Sequence, residues 1–306
     1  PLSEAQFRAN IDRCICVDQD KHGIIKVNND GKFAAFMLNE EADKLISLKS
    51  DINALFNSPV LGYNSKDDIV YQFWANRDSH EVYYFDPKTD YAPTTAISSI
   101  SWDDPNFPNI EGFGVWAAKC NFTMGPDGKM YSRMLGGNLV RIDVENARGE
   151  NLTNGDLVGT KDGSAYGLVF DPQDENVFYF SNNDKHCIYK YDLRTKECAC
   201  WAGQEGKSGY LDGPIGQAMF NKPGQMCVDS EGNIILTDTE NHCIRKITMS
   251  TGYVSTLAGK PQNSGYVNGS AEDAQFKKPL GICIDNDDVM YIGDSENRAI
   301  RRLAVE

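Results

Sequence analysis

Short apolar runs separated by turn residues dominate the second half of the chain. Between residues 225 and 258 there are four such runs: Gln225–Asp229, Ile234–Asp238, Cys243–Thr248 and Tyr253–Ala258. The residues between them are rich in Gly, Asn, Asp and Glu, which are typical of tight turns. No 3.6-residue apolar period, which an amphipathic helix would need, runs through this stretch. The pattern therefore predicts four consecutive antiparallel strands.

The same pattern recurs at a fixed interval. The segment Phe220–Pro223 returns as Phe276–Pro279, 56 positions later, and His186 and His242 match at the same offset. Each unit then repeats the same order of strands and turns. Four strands in a repeat of ~40–56 residues are typical of a β-propeller blade.

Earlier units are more divergent but can be counted by their second and third strands. These strands are expected at Val177–Ser181 and Cys187–Tyr191 in unit four, Lys129–Arg133 and Asn138–Asp143 in unit three, and Ile69–Trp74 and Glu81–Asp86 in unit two. In unit one, Val17–His22 aligns with Thr237–His242, the end of a second strand. The sequence therefore predicts an all-β fold: a six-bladed β-propeller with four antiparallel strands per blade, forming one domain over residues 1–306.

Two irregularities concern how the ring closes. Phe7 and Asp18 lie closer together along the chain than the matching residues of units five and six. This spacing predicts a shortened first strand in unit one, or missing residues. The chain also stops at Glu306, just after the third strand of unit six. We expect the closing strand to come from sequence before Pro1 or from Pro1–Ala9, and the chain to be the C-terminal part of a longer protein.

The fifth unit resembles an NHL repeat. The resemblance rests on Phe220, Pro223 and the run Asp229–Ile247, and it continues through Gly252–Gly259. It is strong in units five and six, good in unit four and weak in units one to three. The longer segment Gly265–Phe276 is similar to NHL propellers of Bacteroidetes surface lipoproteins, in which an immunoglobulin-like IPT/TIG domain precedes the propeller.

That resemblance implies a cellular location and a function. It implies a protein anchored by lipid rather than spanning the membrane, at the extracellular face of the outer membrane or in the periplasm. It further implies nutrient binding associated with glycans, and outer-membrane transporter proteins as partners.

The residues that the repeats share are expected to be structural. Asp238 and Asp294 each end a strand, where an Asp side chain can accept backbone N–H groups. Arg245 and Arg301 lie on third strands, and we expect them on a solvated or ion-paired outer face.

Aromatic residues follow one face of the predicted propeller. Antiparallel order places the connections between blades on the same face as the loops between second and third strands. Long loops on a rigid scaffold commonly carry binding residues, and aromatic rings beside Asp and Asn suit saccharides. The predicted ligand-binding residues, near the mouth of the central channel, are Trp74, Trp102, Trp116, Tyr166, Tyr210, Tyr266, Asp212 and Asn268.

An alternative for Tyr210 and Tyr266 is packing against neighbouring blades, because they occupy matching positions of the repeat. For Trp102 and Trp116, which belong to no repeated motif, binding and packing are equally supported.

Catalytic chemistry has little support in the sequence. There is no G-x-S-x-G, H-E-x-x-H or P-loop motif, and no catalytic or metal-binding residue is assigned. We expect no cofactor, although the acidic surplus would permit a Ca²⁺ site. Whether the chain is an enzyme stays open, with binding favoured.

The net charge argues against nucleic acid as a partner, and the spacing of the cysteines indicates core packing. The formal net charge is −14 and the pI about 4.8, whereas nucleic-acid binders need a positive surface. Nucleic acid is therefore not expected as a partner. Of the nine cysteines, two pairs recur at the 56-residue offset, Cys187 with Cys243 and Cys227 with Cys283, as small buried apolar residues do.

The sequence thus favours a non-catalytic cell-surface module that binds a saccharide or another small polar nutrient. Two alternatives are a metal-dependent hydrolase or lyase that uses the propeller channel, and a protein-interaction scaffold.

Overall fold

The computed structural model describes the strands between residues 12 and 85, and residues 94–103, 123–133, 137–153 and 166–304. Within these residues, regular structure is almost entirely β-strand, with two short 3-10 turns at Thr239–Asn241 and Ser295–Asn297. None of the described helical segments is long and apolar enough to cross a membrane.

The described strands are hydrogen-bonded into six sheets, which follow one another along the chain. The first sheet contains β1 (Asp12–Val17), β2 (His22–Lys26), β3 (Lys32–Leu38) and β4 (Leu45–Asn53). The second contains β5 (Val60–Asn64), β6 (Ile69–Ala75), β7 (His80–Phe85) and β8 (Thr94–Ile97). The third contains β9 (Ser101–Trp102), β10 (Thr123–Met124), β11 (Met130–Arg133), β12 (Leu139–Asp143) and β13 (Arg148–Asn151).

The remaining sheets show the repeat most clearly. The fourth contains β14 (Leu168–Phe170), β15 (Val177–Asn182), β16 (Cys187–Asp192) and β17 (Glu197–Gly203). The fifth contains β18 (Gly213–Pro214), β19 (Pro223–Val228), β20 (Ile234–Asp238), β21 (Cys243–Thr248) and β22 (Tyr253–Ala258). The sixth contains β23 (Pro279–Ile284), β24 (Met290–Asp294) and β25 (Ala299–Leu303).

The prediction of four antiparallel strands per sheet needs a correction. The third and fifth sheets each gain a two-residue strand at the outer edge, supplied by the connection that precedes the sheet. One of these, β9, pairs parallel with β13, and the other, β18, pairs antiparallel with β22. Three strands of the sixth sheet are described, and the predicted closing segment Pro1–Ala9 lies outside the described residues.

The first strand of each sheet contacts the first strand of the next. β1 contacts β5, β5 contacts β10, and the series continues through β14, β19 and β23, which in turn contacts β1. The sheets are therefore arranged around a common centre, and the prediction of an all-β propeller is confirmed. We call the side at which these first strands end the turn face, and the opposite side the loop face.

The predicted alignment of unit one was wrong. Residues 12–17 form the first strand of their sheet, β1, so the segment before Asp18 is not a second strand. Asp18 therefore corresponds to Asp229 and Asp285, which follow first strands. The separation of Phe7 and Asp18 along the chain is indeed close to that of Phe220 and Asp229. β1 has six residues, as β19 does, so this strand is not shortened.

The apolar core lies between neighbouring sheets. Ile234 and Leu236 pack against the fourth sheet, while Ile235 packs against residues of the sixth. Side chains alternate between the two faces of a strand, so one strand contributes to two successive cores. This alternation explains why the strands of unit five are apolar at nearly every position.

Candidate functional site

Arg245 in β21 is fully buried, with 0% of its side chain exposed. Its guanidinium donates to the carboxylates of Asp238, at 2.6 Å, and Asp212, at 2.7 Å. It also donates to the backbone carbonyls of Met219 and Leu211. Burial acts to lower the pKa of Arg245, but the two carboxylates outweigh it and hold the pKa above its ordinary value. Arg245 is therefore a permanent cation that ties the preceding loop to the fifth sheet.

Tyr210 belongs to the same cluster. Its ring lies 4.8 Å from the guanidinium carbon of Arg245, and the ring of Phe220 lies 5.1 Å from that carbon. The Tyr210 hydroxyl is 2.6 Å from the hydroxyl of Thr256 and 3.5 Å from Asp212. These contacts favour the packing alternative for Tyr210. Asp212 likewise has a structural role, because it pairs with Arg245.

The sixth sheet repeats this cluster. Arg301 donates to Asp294 at 2.9 Å, and its guanidinium carbon lies 4.9 Å from the rings of both Tyr266 and Phe276. The predicted outer, solvated position of the two arginines was wrong, although the predicted ion pairs are present. Tyr266 differs from Tyr210 because 54% of it remains exposed.

Trp102 lies at the outer edge of the third sheet. It is paired with Gly149 of β13, and a Cβ added at Gly149 would lie 2.4 Å from the indole ring. The ring therefore covers Gly149, and it packs against the core that contains Val82 and Ile97. Tyr166 is half-buried at the start of the fourth sheet, where its backbone N–H donates to the Ser181 hydroxyl.

The remaining predicted site residues are dispersed or not described. Trp116 and the side chain of Trp74 lie outside the described residues, while Asn268 is exposed in the loop that follows Tyr266. Among the described members of the set, Tyr210 and Asp212 share a cluster. The others lie on segments of the third, fourth and sixth sheets.

A cleft of about 640 Å³ opens on the turn face. It lies where three successive first strands end, and prediction from the sequence missed it. Its lining residues are Thr123, Met124, Pro126, Val169, Phe170, Asp171, Pro172, Gln173, Glu175 and Val228. Three segments that are well separated along the chain therefore build one concave surface.

The cleft combines an apolar lining with polar groups. Met124, Val169 and Val228 supply aliphatic surface. Asp171 accepts hydrogen bonds from the Tyr179 hydroxyl, at 2.7 Å, and from the backbone N–H of Gln173, at 2.8 Å. Burial raises the pKa of Tyr179, with a further rise from Asp171, so the hydroxyl stays protonated and holds this carboxylate in place.

Glu175 is exposed and makes no hydrogen bond or ion pair within the described part of the chain. Its carboxylate is therefore available to a ligand, as is the side-chain amide of Gln173, which is also exposed. A few polar groups around an apolar surface are typical of small-molecule sites.

The turns around the cleft are strongly acidic. In the third to sixth sheets, the turns between first and second strands carry one lysine, Lys129, and nine carboxylates: Asp127, Asp171, Asp174, Glu175, Asp229, Glu231, Asp285, Asp287 and Asp288. The composition of these turns was readable in the sequence, but their convergence was not. Within the described residues, no group of three His, Cys, Asp or Glu side chains has the geometry to hold a metal ion.

Comparison with known proteins agrees with the fold. The NHL repeat family matches residues 220–247. The Arabidopsis thaliana protein SUPPRESSOR OF QUENCHING 1, chloroplastic, is 25% identical over 271 residues, which are 82% of this chain and 25% of that protein. The chain thus spans about a quarter of the length of this relative.

Two solved structures from Bacteroides thetaiotaomicron are similar. A protein of unknown function has a TM-score of 0.77 and 22% identity, over 95% of this chain and 68% of that one. An auxiliary nutrient binding protein has a TM-score of 0.73 and 21% identity, over 98% of this chain and 69% of that one. The fold defines an all-β propeller. Residues 220–247 match an NHL repeat, and the fold of the chain is similar to those of these two Bacteroides proteins.

Proposed function

We propose that this chain is a non-catalytic propeller module that binds a small polar nutrient, such as a saccharide, in the turn-face cleft. The observation that carries the proposal is the cleft itself, in which aliphatic surface lies beside the exposed Glu175 and Gln173. Aliphatic surface suits the C–H face of a sugar, while carboxylates and amides suit its hydroxyls. The similar fold of a nutrient-binding protein agrees with this role.

This proposal moves the ligand from the loop face to the turn face. On the loop face, Tyr210 and Asp212 are engaged by Arg245. On the turn face, by contrast, the exposed carboxylate of Glu175 and the exposed amide of Gln173 border a concave surface.

We also propose that the six sheets are the blades of one closed ring. The contacts between successive first strands, including that between β23 and β1, support this arrangement. A ring brings the ends of β10, β14 and β19 to one side of the centre, as the cleft requires.

Filling the cleft tests the proposed function. Val228→Trp adds an indole to the cleft lining and should abolish saccharide binding measured by calorimetric titration or on a glycan array. Val267→Trp is the matched control, because Val267 is 41% exposed and lies outside the cleft lining. Tyr266→Ala tests the loop-face alternative.

Three results would count against the proposal. Binding that Val228→Trp leaves unchanged would move the ligand elsewhere, and loss in Tyr266→Ala alone would return it to the loop face. No saccharide binding at millimolar concentration by the folded wild-type chain would remove the function.

The cellular setting remains part of the proposal. We infer a lipid-anchored position at the outer membrane or in the periplasm, with an outer-membrane transporter as partner, because the repeat resembles those of surface lipoproteins. Labelling of intact cells of the source organism and co-purification with its membrane proteins would test both.

A further inference from the structure

We propose that the turn-face cleft selects amine-bearing, cationic ligands over ligands of the same size that carry a carboxylate or phosphate. This selection rests on the proposed function, because it concerns the same cleft. The expected ligand is therefore a cationic nutrient. An amino sugar is one example, because its C–H face suits the apolar lining and its ammonium group suits the carboxylates.

The first support is the charge of the lining. It includes two carboxylates, Asp171 and Glu175, and no lysine or arginine. Asp171 is held by Tyr179 and Gln173, whereas Glu175 has no partner in the described part of the chain. An ammonium group is a donor without acceptor capacity, so it suits an exposed carboxylate better than a hydroxyl does.

The second support is that two cations near this face, Lys129 and Arg194, already have partners. Lys129 pairs with Asp143 at 3.7 Å. Arg194 pairs with both Asp174 and Asp192 at 2.7 Å. An anionic ligand would therefore have to break an existing ion pair to gain either Lys129 or Arg194 as a positive partner.

The third support is the field of the turns between first and second strands, which carry nine carboxylates against one lysine. Four of the nine are ion-paired with basic side chains of later strands or turns. The other five have no ion pair in the described part of the chain: Asp171, Glu175, Asp285, Asp287 and Asp288. At physiological salt, charges interact over about 8 Å before screening dominates. Neighbouring turns therefore add to the effect of Glu175 and oppose an incoming anion. The effect comes from several turns, so a single substitution should remove only part of the discrimination.

Three monosaccharides of similar size but different charge test this selection: glucosamine is cationic, glucose is neutral and glucuronate is anionic. At neutral pH and low salt, calorimetric or NMR titration of the whole chain should show glucosamine binding about three- to fivefold more tightly than glucose. Glucuronate should bind most weakly. Raising the salt from about 20 mM to about 300 mM should weaken glucosamine binding, strengthen glucuronate binding and leave glucose unchanged.

Glu175→Gln should reduce the preference for glucosamine over glucose while leaving glucose binding in place. The matched control is Glu272→Gln, an exposed glutamate in the loop before the sixth sheet, which should change neither. Equal binding of all three sugars, or tighter binding of glucuronate, would overturn the selection and leave the proposed function standing. No binding of any of the three would overturn both.

Discussion

The imidazole Nδ1 of His186 accepts a hydrogen bond of 3.1 Å from the backbone N–H of Lys222, across the boundary between the fourth and fifth sheets. His242 accepts the same bond, also 3.1 Å, from Lys278 across the next boundary. Both histidines have a positive φ, 57° and 58°, which places the rings beside the neighbouring sheet. Since only a neutral imidazole can accept at Nδ1, each link requires an uncharged histidine.

The His186 link predicts a loss of stability in mild acid. Burial, with a smaller effect of Lys222, lowers the pKa of His186 below its ordinary value, although Asp184 acts in the opposite direction. The unfolded chain then binds the proton more readily than the folded chain, so stability is complete above about pH 6.5 and falls as the pH drops below it. This link should therefore contribute less to the midpoint of urea unfolding at about pH 5 than at about pH 7.5.

His186→Asn provides the comparison. Asparagine tolerates positive φ and does not titrate, so between about pH 7.5 and about pH 5 the midpoint of this variant should fall less than that of the wild type. An NMR titration of the His186 ring should show its pKa below that of an unstructured peptide. An unshifted ring pKa, or a pH dependence that the variant keeps in full, would rule out this origin.

Removing the guanidinium of Arg245 should destabilise the fifth sheet strongly. Arg245→Ala leaves the buried carboxylate of Asp238 without its cation and frees the carbonyls of Met219 and Leu211. Breaking a buried ion pair from one side costs about 3–5 kcal/mol, which denaturant unfolding would detect. Arg194→Ala, in which an exposed pair is removed, should barely move the midpoint. A loss below about 1 kcal/mol for Arg245→Ala would show that the cluster is not structural.

Much of the fold was predictable because the repeat preserves its turns. The second and third strands predicted in units two to four, and the four strands predicted in unit five, lie close to the observed ones, because Gly, Asn and Asp residues separate the apolar runs. The fixed offset of 56 residues relates units four, five and six. Unit one failed for a specific reason. Asp229 follows a short apolar strand and Asp238 ends one, so an Asp after an apolar run, such as Asp18, could be aligned with either of them.

The candidate site was less accessible to sequence reasoning. Lys246 follows Arg245 directly, and nothing in this pair of basic residues indicates that Arg245 is the buried one and Lys246 the partly exposed one. The difference arises from loop carbonyls that come from 26 and 34 positions earlier in the chain. The cleft likewise depends on three turns whose convergence only the ring arrangement provides.

Trp102 should act through packing rather than through a ligand. Its ring covers Gly149 and packs against the core that contains Val82 and Ile97. Trp102→Ala should lower the free energy of unfolding by about 2 kcal/mol, less than for a fully buried tryptophan, and leave saccharide affinity unchanged. Gly149→Ala should also destabilise, because its Cβ would displace the ring. Loss of binding in a Trp102→Ala chain of undiminished stability would restore Trp102 as a ligand residue.

The close approach of first strands makes a last prediction about the ring. A Cβ added at Gly167, just before β14, would lie 2.5 Å from the backbone nitrogen of Met226 in β19. Neither backbone can move freely, because β14 and β19 each belong to a sheet that packs against the other. Gly167→Ala should therefore cost about 3 kcal/mol or more in the free energy of unfolding. Gly216→Ala is the matched control: its added Cβ meets nothing within 4 Å and should change stability by less than about 0.5 kcal/mol. Equal stability of the two variants would show that β14 and β19 do not pack this closely. The cleft at the ends of these strands would then not have the described shape.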